Sequence, residues 1–346
     1  MANPQLDQRS RDVLRALIQL HINTGQPVGS ESLAREFHSS VSSATLRNVM
    51  AELEKKGYLT HPHTSAGRIP TDEGYRFYVD SLMSASPLSS RAISAIDSGI
   101  RQADNPREAL ELASHMLSSH SGNVGFVLVP DVARSTLLHI DLVRLTHPRV
   151  LVVMVSRAGL VTNKVIEIDE ELSGDDLQAC ANYLNAHFTG LALPAVRTRL
   201  LELMQEEKAL YDTLLKRVLA VAGRAFTDDA GDGEVVIDGT SNILQADFED
   251  IDRLRALFKA FEQKGRLVKI LNGCLAEGGV RITIGQENPD PDMRRTAVVT
   301  ASFPLEGAPA FGLGVVGSTR MEYAKVVALV DHVARALNDA LKELRA

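Results

Sequence analysis

One short stretch of this 346-residue chain concentrates side chains suited to reading nucleic acid: Ser42, Ser43, Thr45, Arg47, Asn48 and Lys55. Arginine reaches guanine edges or phosphate, asparagine pairs bidentately with adenine, and small hydroxyl residues permit close approach to a groove. Shortly after comes HPHTSAGRI, with His61, His63, Thr64, Ser65 and Arg68. Placed on a hairpin, these would contact phosphates or the minor groove. The paired histidines raise the idea of a metal site, but no further Cys or carboxylate has matching ligand spacing, so neither metal nor cofactor is expected.

Other reactive residues do not assemble into a recognisable chemistry. His139, Asp141 and Ser156, or Cys274 and Glu277, lack the context of a nucleophile elbow or a cysteine protease, so no enzyme is expected. Asp238-Gly239-Thr240-Ser241-Asn242 has neither the glycine spacing nor the lysine of a phosphate-binding loop and reads as a turn.

The elements that must position the polar stretch are legible. Val13, Leu14, Leu17, Ile18 and Leu20 give Leu6–His21 a helical apolar face, closed by Gly25 and Pro27. A short helix, Ser30–Phe37, and a turn around Ser39–Val41 follow. Ser42 then caps a third helix whose Leu46, Val49, Met50 and Leu53 repeat at i, i+3, i+4 and i+7. Ala44, Arg47, Asn48, Ala51 and Lys55 fall on the opposite face. Gly57 ends the helix, Tyr58-Leu59 turns extended, and Pro70-Thr71 starts a helix with Tyr75, Tyr78, Val79 and Leu82 as its stripe. This is the layout of a winged helix-turn-helix, in which the third helix enters the DNA major groove.

The formal net charge is −7, so the DNA-binding reading rests on pattern and not on bulk charge. Residues 1–80 hold nine Lys/Arg and nine Asp/Glu. A neutral module binds weakly alone, and two copies on one duplex double the contacts, which points to a dimer. Two cysteines in no metal-like spacing fit a reducing compartment. With no signal pattern and no apolar run of about 18 residues, a soluble cytoplasmic protein is expected.

The stretches PVGSESLAREF and SSATLRNVMAELEKKGYLTHPHTSAGRIPTDEGYRFYVD closely resemble the HrcA family of bacterial heat-inducible transcription repressors. GTSNIL and GLGVVGSTRMEYAKV match it more loosely. The resemblance implies a dimeric repressor on an inverted-repeat operator of double-stranded DNA upstream of chaperone genes, supported by the chaperonin as partner.

The rest of the chain completes an α+β fold. Ser84–Ser90 reads as a linker, and helices are expected at Arg91–Gln102 and Pro106–Ser119. Strands are expected at Val124–Val129, Leu137–Leu142, Val150–Val155 and Val161–Ile168. Helices then take over at Asp175–Phe188 and Leu200–Phe226, a strand returns at Gly231–Ile237, and Phe248–Gln263 is helical. Strands at Leu267–Leu271, Val280–Ile284, Ala297–Phe303 and Phe311–Val316 precede a terminal helix, Met321–Leu344. That ending resembles a GAF domain, and the family resemblance implies such a domain interrupted by a dimerisation insert. The expected organisation is a winged helix over 1–83, a linker and helix over 84–105, an antiparallel-sheet GAF-like domain over 106–168 and 248–346, and an inserted helical and mixed segment over 169–247. A regulator whose GAF-like domain senses a small molecule is the alternative.

Overall fold

The computed structural model describes residues 6–37, 41–62, 67–84, 86–129, 136–157, 159–192, 195, 196, 198, 199, 202, 213–225, 234–242, 264–274, 279–305 and 308–344. The fold is mixed α+β, with helices first and several antiparallel sheets after them.

Three helices open the chain: α1 (Gln8–Thr24), α2 (Ser30–Glu36) and α3 (Ser43–Lys55). Asp7 caps α1 by accepting from Ser10 N, and Gly25 ends it at φ 70°, a left-handed position that favours glycine. Val13, Leu14, Leu17 and Ile18 of α1, Leu33 of α2, and Leu46, Met50 and Leu53 of α3 form one buried nucleus. A two-stranded ribbon follows, β1 (Leu59–Thr60) and β2 (Ile69–Pro70), and then α4 (Asp72–Phe77), which runs into a π turn over Tyr78–Leu82.

A five-stranded antiparallel sheet forms the body. Its strands are β3 (Val124–Val129), β7 (Glu234–Asp238), β8 (Val280–Ile284), β9 (Thr296–Leu305) and β10 (Ala308–Ser318), in the order β7-β3-β10-β9-β8. One face packs on α6 (Pro106–Ser121) and the terminal helix α10 (Tyr323–Glu343), with α5 (Ser90–Arg101) against both helices, in a core shared with the N-terminal helices. The His332 ring meets Asp97 at 2.8 Å and ties α10 to α5. The other face packs on α9 (Lys264–Cys274) through Val268, Ile270, Leu271 and Cys274. The strand expected at Leu267–Leu271 is therefore helix. A short apolar run does not distinguish the two by period, and here burial against a sheet face favours the helix.

Between β3 and β7 the chain leaves this body. β4 (Leu137–Arg144), β5 (Arg149–Ser156) and β6 (Val161–Glu167) make their own three-stranded antiparallel sheet, backed by α7 (Gly174–Phe188) and α8 (Thr213–Ala225). Ile140, Leu142, Val152, Met154, Leu177, Leu184, Phe188, Val218 and Val221 form its separate core. The three strands share neither a sheet nor a core with β3, unlike the expected grouping of 106–168 with the body, and β7, expected within 169–247, pairs with β3. Asn185 of α7 bonds both Ile140 N and Ile140 O at 2.8 Å, which satisfies the backbone of the sheet's edge strand. The helix expected at Phe248–Gln263 lies outside the described residues.

Candidate nucleic-acid interface

The α3 helix presents two unlike faces. Leu46, Met50 and Leu53 are buried, whereas Ala44, Arg47, Asn48 and Lys55 are exposed. Ser42 sits just outside as N-cap, its hydroxyl accepting from Thr45 N at 3.2 Å and meeting Thr45 Oγ1 at 2.9 Å. Two of the hydroxyls expected to face DNA are thus used to start the helix. Ser43 is half-buried.

The ribbon is fixed to this helix at its base. Tyr58 N donates to Leu53 O, the Thr71 hydroxyl donates to Gly57 O at 2.6 Å, and Gly57 takes φ 85°. On the other side, Arg68 and Val28 exchange both backbone hydrogen bonds at 2.9 Å. A Cβ on Gly67 would stand 2.6 Å from the carbonyl of Val28, so only glycine lets the ribbon approach the α1–α2 connection so closely. His63, Thr64 and Ser65 lie outside the described residues.

Arg68 and His61 converge on Glu54, a residue that sequence reasoning missed. Arg68 donates from Nε to Glu54 Oε2 at 3.0 Å, with Nη2 at the same distance, and the His61 ring meets Glu54 Oε1. Arg68 is only 14 % exposed, so its guanidinium turns inward at the ribbon's base. Burial alone would raise the Glu54 pKa, but the hydrogen bonds and charge of Arg68 and His61 outweigh it and hold the carboxyl below its ordinary value. A signal was present in the sequence: a carboxylate in the last turn of a helix opposes the macrodipole and calls for a compensating cation.

The N-terminal helices are bonded to the body through α4. The Asp72 carboxylate accepts from Gln286 N at 2.9 Å. Arg76 donates to both oxygens of Glu287 and to Ile282 O. Tyr75 stacks obliquely on Tyr323, centroids 5.9 Å apart.

The remaining candidate residues do not form a reactive group. His139 and Asp141 are exposed on β4, while the buried Ser156 hydroxyl accepts from Leu160 N in a hairpin turn. Burial pushes the Cys180 thiol up to about 11 and raises that of Cys274, which disfavours a reactive thiolate at either. Glu277 lies outside the described residues. Asn242 of the DGTSN turn donates to Ser118 Oγ and Asn123 O, so that motif joins β7 to α6. Among the described residues, no group of three or more His, Cys, Asp or Glu side chains is placed to hold a metal, and no helix is long and apolar enough to cross a membrane.

Residues 107–327 match the family model described as the HrcA protein C-terminal domain. The heat-inducible transcription repressor HrcA of Geobacter sulfurreducens is 42 % identical, covering 97 % of this chain and 98 % of its own. The chain belongs to the HrcA family. The repressor of the same description from Syntrophobacter fumaroxidans is 35 % identical over 98 % of both chains. HrcA proteins are transcription repressors of the heat-shock response and not enzymes, and this member is one of them. A crystal structure titled only as a hypothetical protein superposes with TM-score 0.65 at 22 % identity, over 98 % of this chain and all of that one, and supports the fold alone.

Proposed function

We propose that this HrcA member represses by binding an inverted-repeat DNA operator as a homodimer, with α3 of each subunit in a major groove. In this reading the first four helices and the ribbon are a winged helix-turn-helix, the five-stranded unit is a GAF-like body, and the three-stranded insert joins the two subunits. The observation that carries the reading is the division of α3. One side is wholly committed to the core, and the other offers Arg47, Asn48 and Lys55, flanked by small Ala44 and Ser43. The bound dimer would block transcription from the promoter, and a repressor acting in this way would work in the bacterial cytoplasm.

The insert supports the pairing. On the sheet face away from α7 and α8, cross-strand rows align Val143, Leu151 and Val165, then Asp141, Val153 and Asn163, then His139, Val155 and Val161. Val165 is 52 % exposed and Val161 64 %. An apolar face interrupted by Asp141, Asn163 and His139 supports an interaction site here, and a second copy placed on it by twofold symmetry would set the spacing of the two reading helices.

The family resemblance adds a chaperonin as the factor that maintains active repressor. Operator binding is linked to the native population, so a folding factor would raise repression without touching DNA. Purified chaperonin added to heat-treated repressor tests this: operator binding recovers with it, and unchanged recovery in its presence contradicts it.

Substitution of the reading face tests the central proposal. Arg47→Ala and Asn48→Ala each weaken operator binding by about 1–3 kcal/mol, with the dimer intact by sedimentation. Unchanged operator affinity in both variants would remove α3 as the reading element.

A further inference from the structure

We propose that Glu54 is a specificity-determining residue, an internal counter-anion that keeps Arg68 and His61 off the DNA backbone. The inference rests on α3 being the reading helix. Its own observation is the three-residue cluster at the ribbon base: one carboxylate, one oxygen engaged by His61 and the other by the Nε–Nη2 edge of Arg68.

The arrangement is costly for a purely structural tie. Glu54 stands in the last turn of α3, where the helix dipole disfavours a negative charge. The ribbon stem is already fixed without it, through the paired backbone bonds of Arg68 with Val28 and the Thr71 contact to Gly57. What Glu54 adds is the removal of an arginine from the surface that would meet phosphate. Nonspecific affinity is set by the number of cations that replace condensed counterions, whereas sequence is read at base edges. An arginine held by an internal carboxylate leaves base-edge contacts untouched and lowers attraction to every sequence alike. That raises the ratio of specific to nonspecific binding, a gain made by weakening the wrong complexes. The equal numbers of acidic and basic residues in the first 80 agree with a module built to limit indiscriminate binding.

The side chain of Arg68 can change partner without moving the stem, because its backbone bonds to Val28 are independent of Glu54. Glu54→Gln keeps the shape and removes the charge. On duplex lacking an operator, this variant should show a slope of log affinity against log salt steeper by about 1.8, one added phosphate contact from each subunit of the dimer, and so bind about 60-fold tighter at 0.1 M salt than wild type when the two converge near 1 M. Its affinity for the operator rises less, so discrimination falls. Glu54→Asp, which retains the carboxylate, restores the wild-type slope. Adding Arg68→Met to Glu54→Gln also restores it.

Anisotropy titrations with full-length protein over a salt series read all of these. A Glu54→Gln variant that melts earlier yet keeps the wild-type slope overturns the proposal and leaves Glu54 a stem residue. A steeper slope that survives in the double variant also overturns it, since Arg68 is then not the cation released. Arg47→Ala run alongside separates the two layers. Loss of operator affinity in Arg47→Ala with no slope change in Glu54→Gln refutes the counter-anion alone, whereas no loss in Arg47→Ala refutes the reading helix on which it rests.

Discussion

Arg76 donates from Nε to Glu287 Oε1 at 2.7 Å, joining residues 211 positions apart in sequence and bonding the helix after the ribbon to the turn after β8. A further bond from Arg76 Nη2 to Ile282 O at 2.7 Å fixes the guanidinium on the body. The unit that carries α3 is thus attached to the body at defined points, and in the proposed dimer these points would pass subunit geometry on to α3.

The pH dependence of that joint follows from the state of Glu287. Burial would raise its pKa, but hydrogen bonds from Arg76 and Ile284 N, with the charge of Arg76, lower it beneath the ordinary 4.5. A carboxylate whose pKa is depressed on folding contributes stability above its unfolded value and loses it as pH falls through the folded value. Glu287→Gln should therefore cost about 1–2 kcal/mol near neutrality, with the deficit shrinking as the solution is acidified below 4.5. Denaturant titrations at several pH values check this, and a deficit that does not change with pH contradicts it.

Tyr75 offers a test with the opposite sign. Its ring is buried against Tyr323, yet its hydroxyl has no hydrogen-bond partner among the described residues. An unsatisfied buried hydroxyl forfeits its hydration without return. Tyr75→Phe should stabilise the protein by about 1 kcal/mol, read as a rise in the thermal midpoint. A fall would show that the hydroxyl makes a favourable interaction.

The sheet face of the insert predicts a clean separation of assembly from folding. Val165 is exposed in the subunit, so Val165→Glu leaves its fold intact. In a dimer joined on this face it buries an unpaired charge, at a cost of roughly 2 kcal/mol or more. Sedimentation should then show a monomer with the wild-type circular dichroism spectrum, and operator binding should weaken with it. A Val165→Glu protein that remains a dimer places the subunit contact elsewhere.

The helix α3 was legible because its signals are local. A serine cap, a four-residue apolar stripe and a glycine stop all act within one element, and Ser43–Lys55 forms between Ser42 and Gly57 as that pattern requires. What escaped depends on contacts between distant segments. Leu267–Leu271 has an apolar run compatible with strand or helix, and packing on the sheet face of β7, β3 and β8 decides for helix. The strands from Leu137 to Glu167 were identifiable one by one, but nothing in their own residues says that they pair with each other and leave β3 to β7 and β10. Arg68 has the composition of a phosphate contact, and only the folded ribbon brings it to Glu54, 14 residues earlier.

Selection of binding sites from randomised duplex DNA by the full-length protein tests the account most directly. It predicts enrichment of two identical half-sites in inverted orientation, their centres separated by one helical turn of about 34–36 Å or a multiple of it, and loss of base preference within both half-sites for Arg47→Ala. Recovery of no sequence, or of single half-sites without a fixed partner, would contradict a dimer that reads DNA through α3.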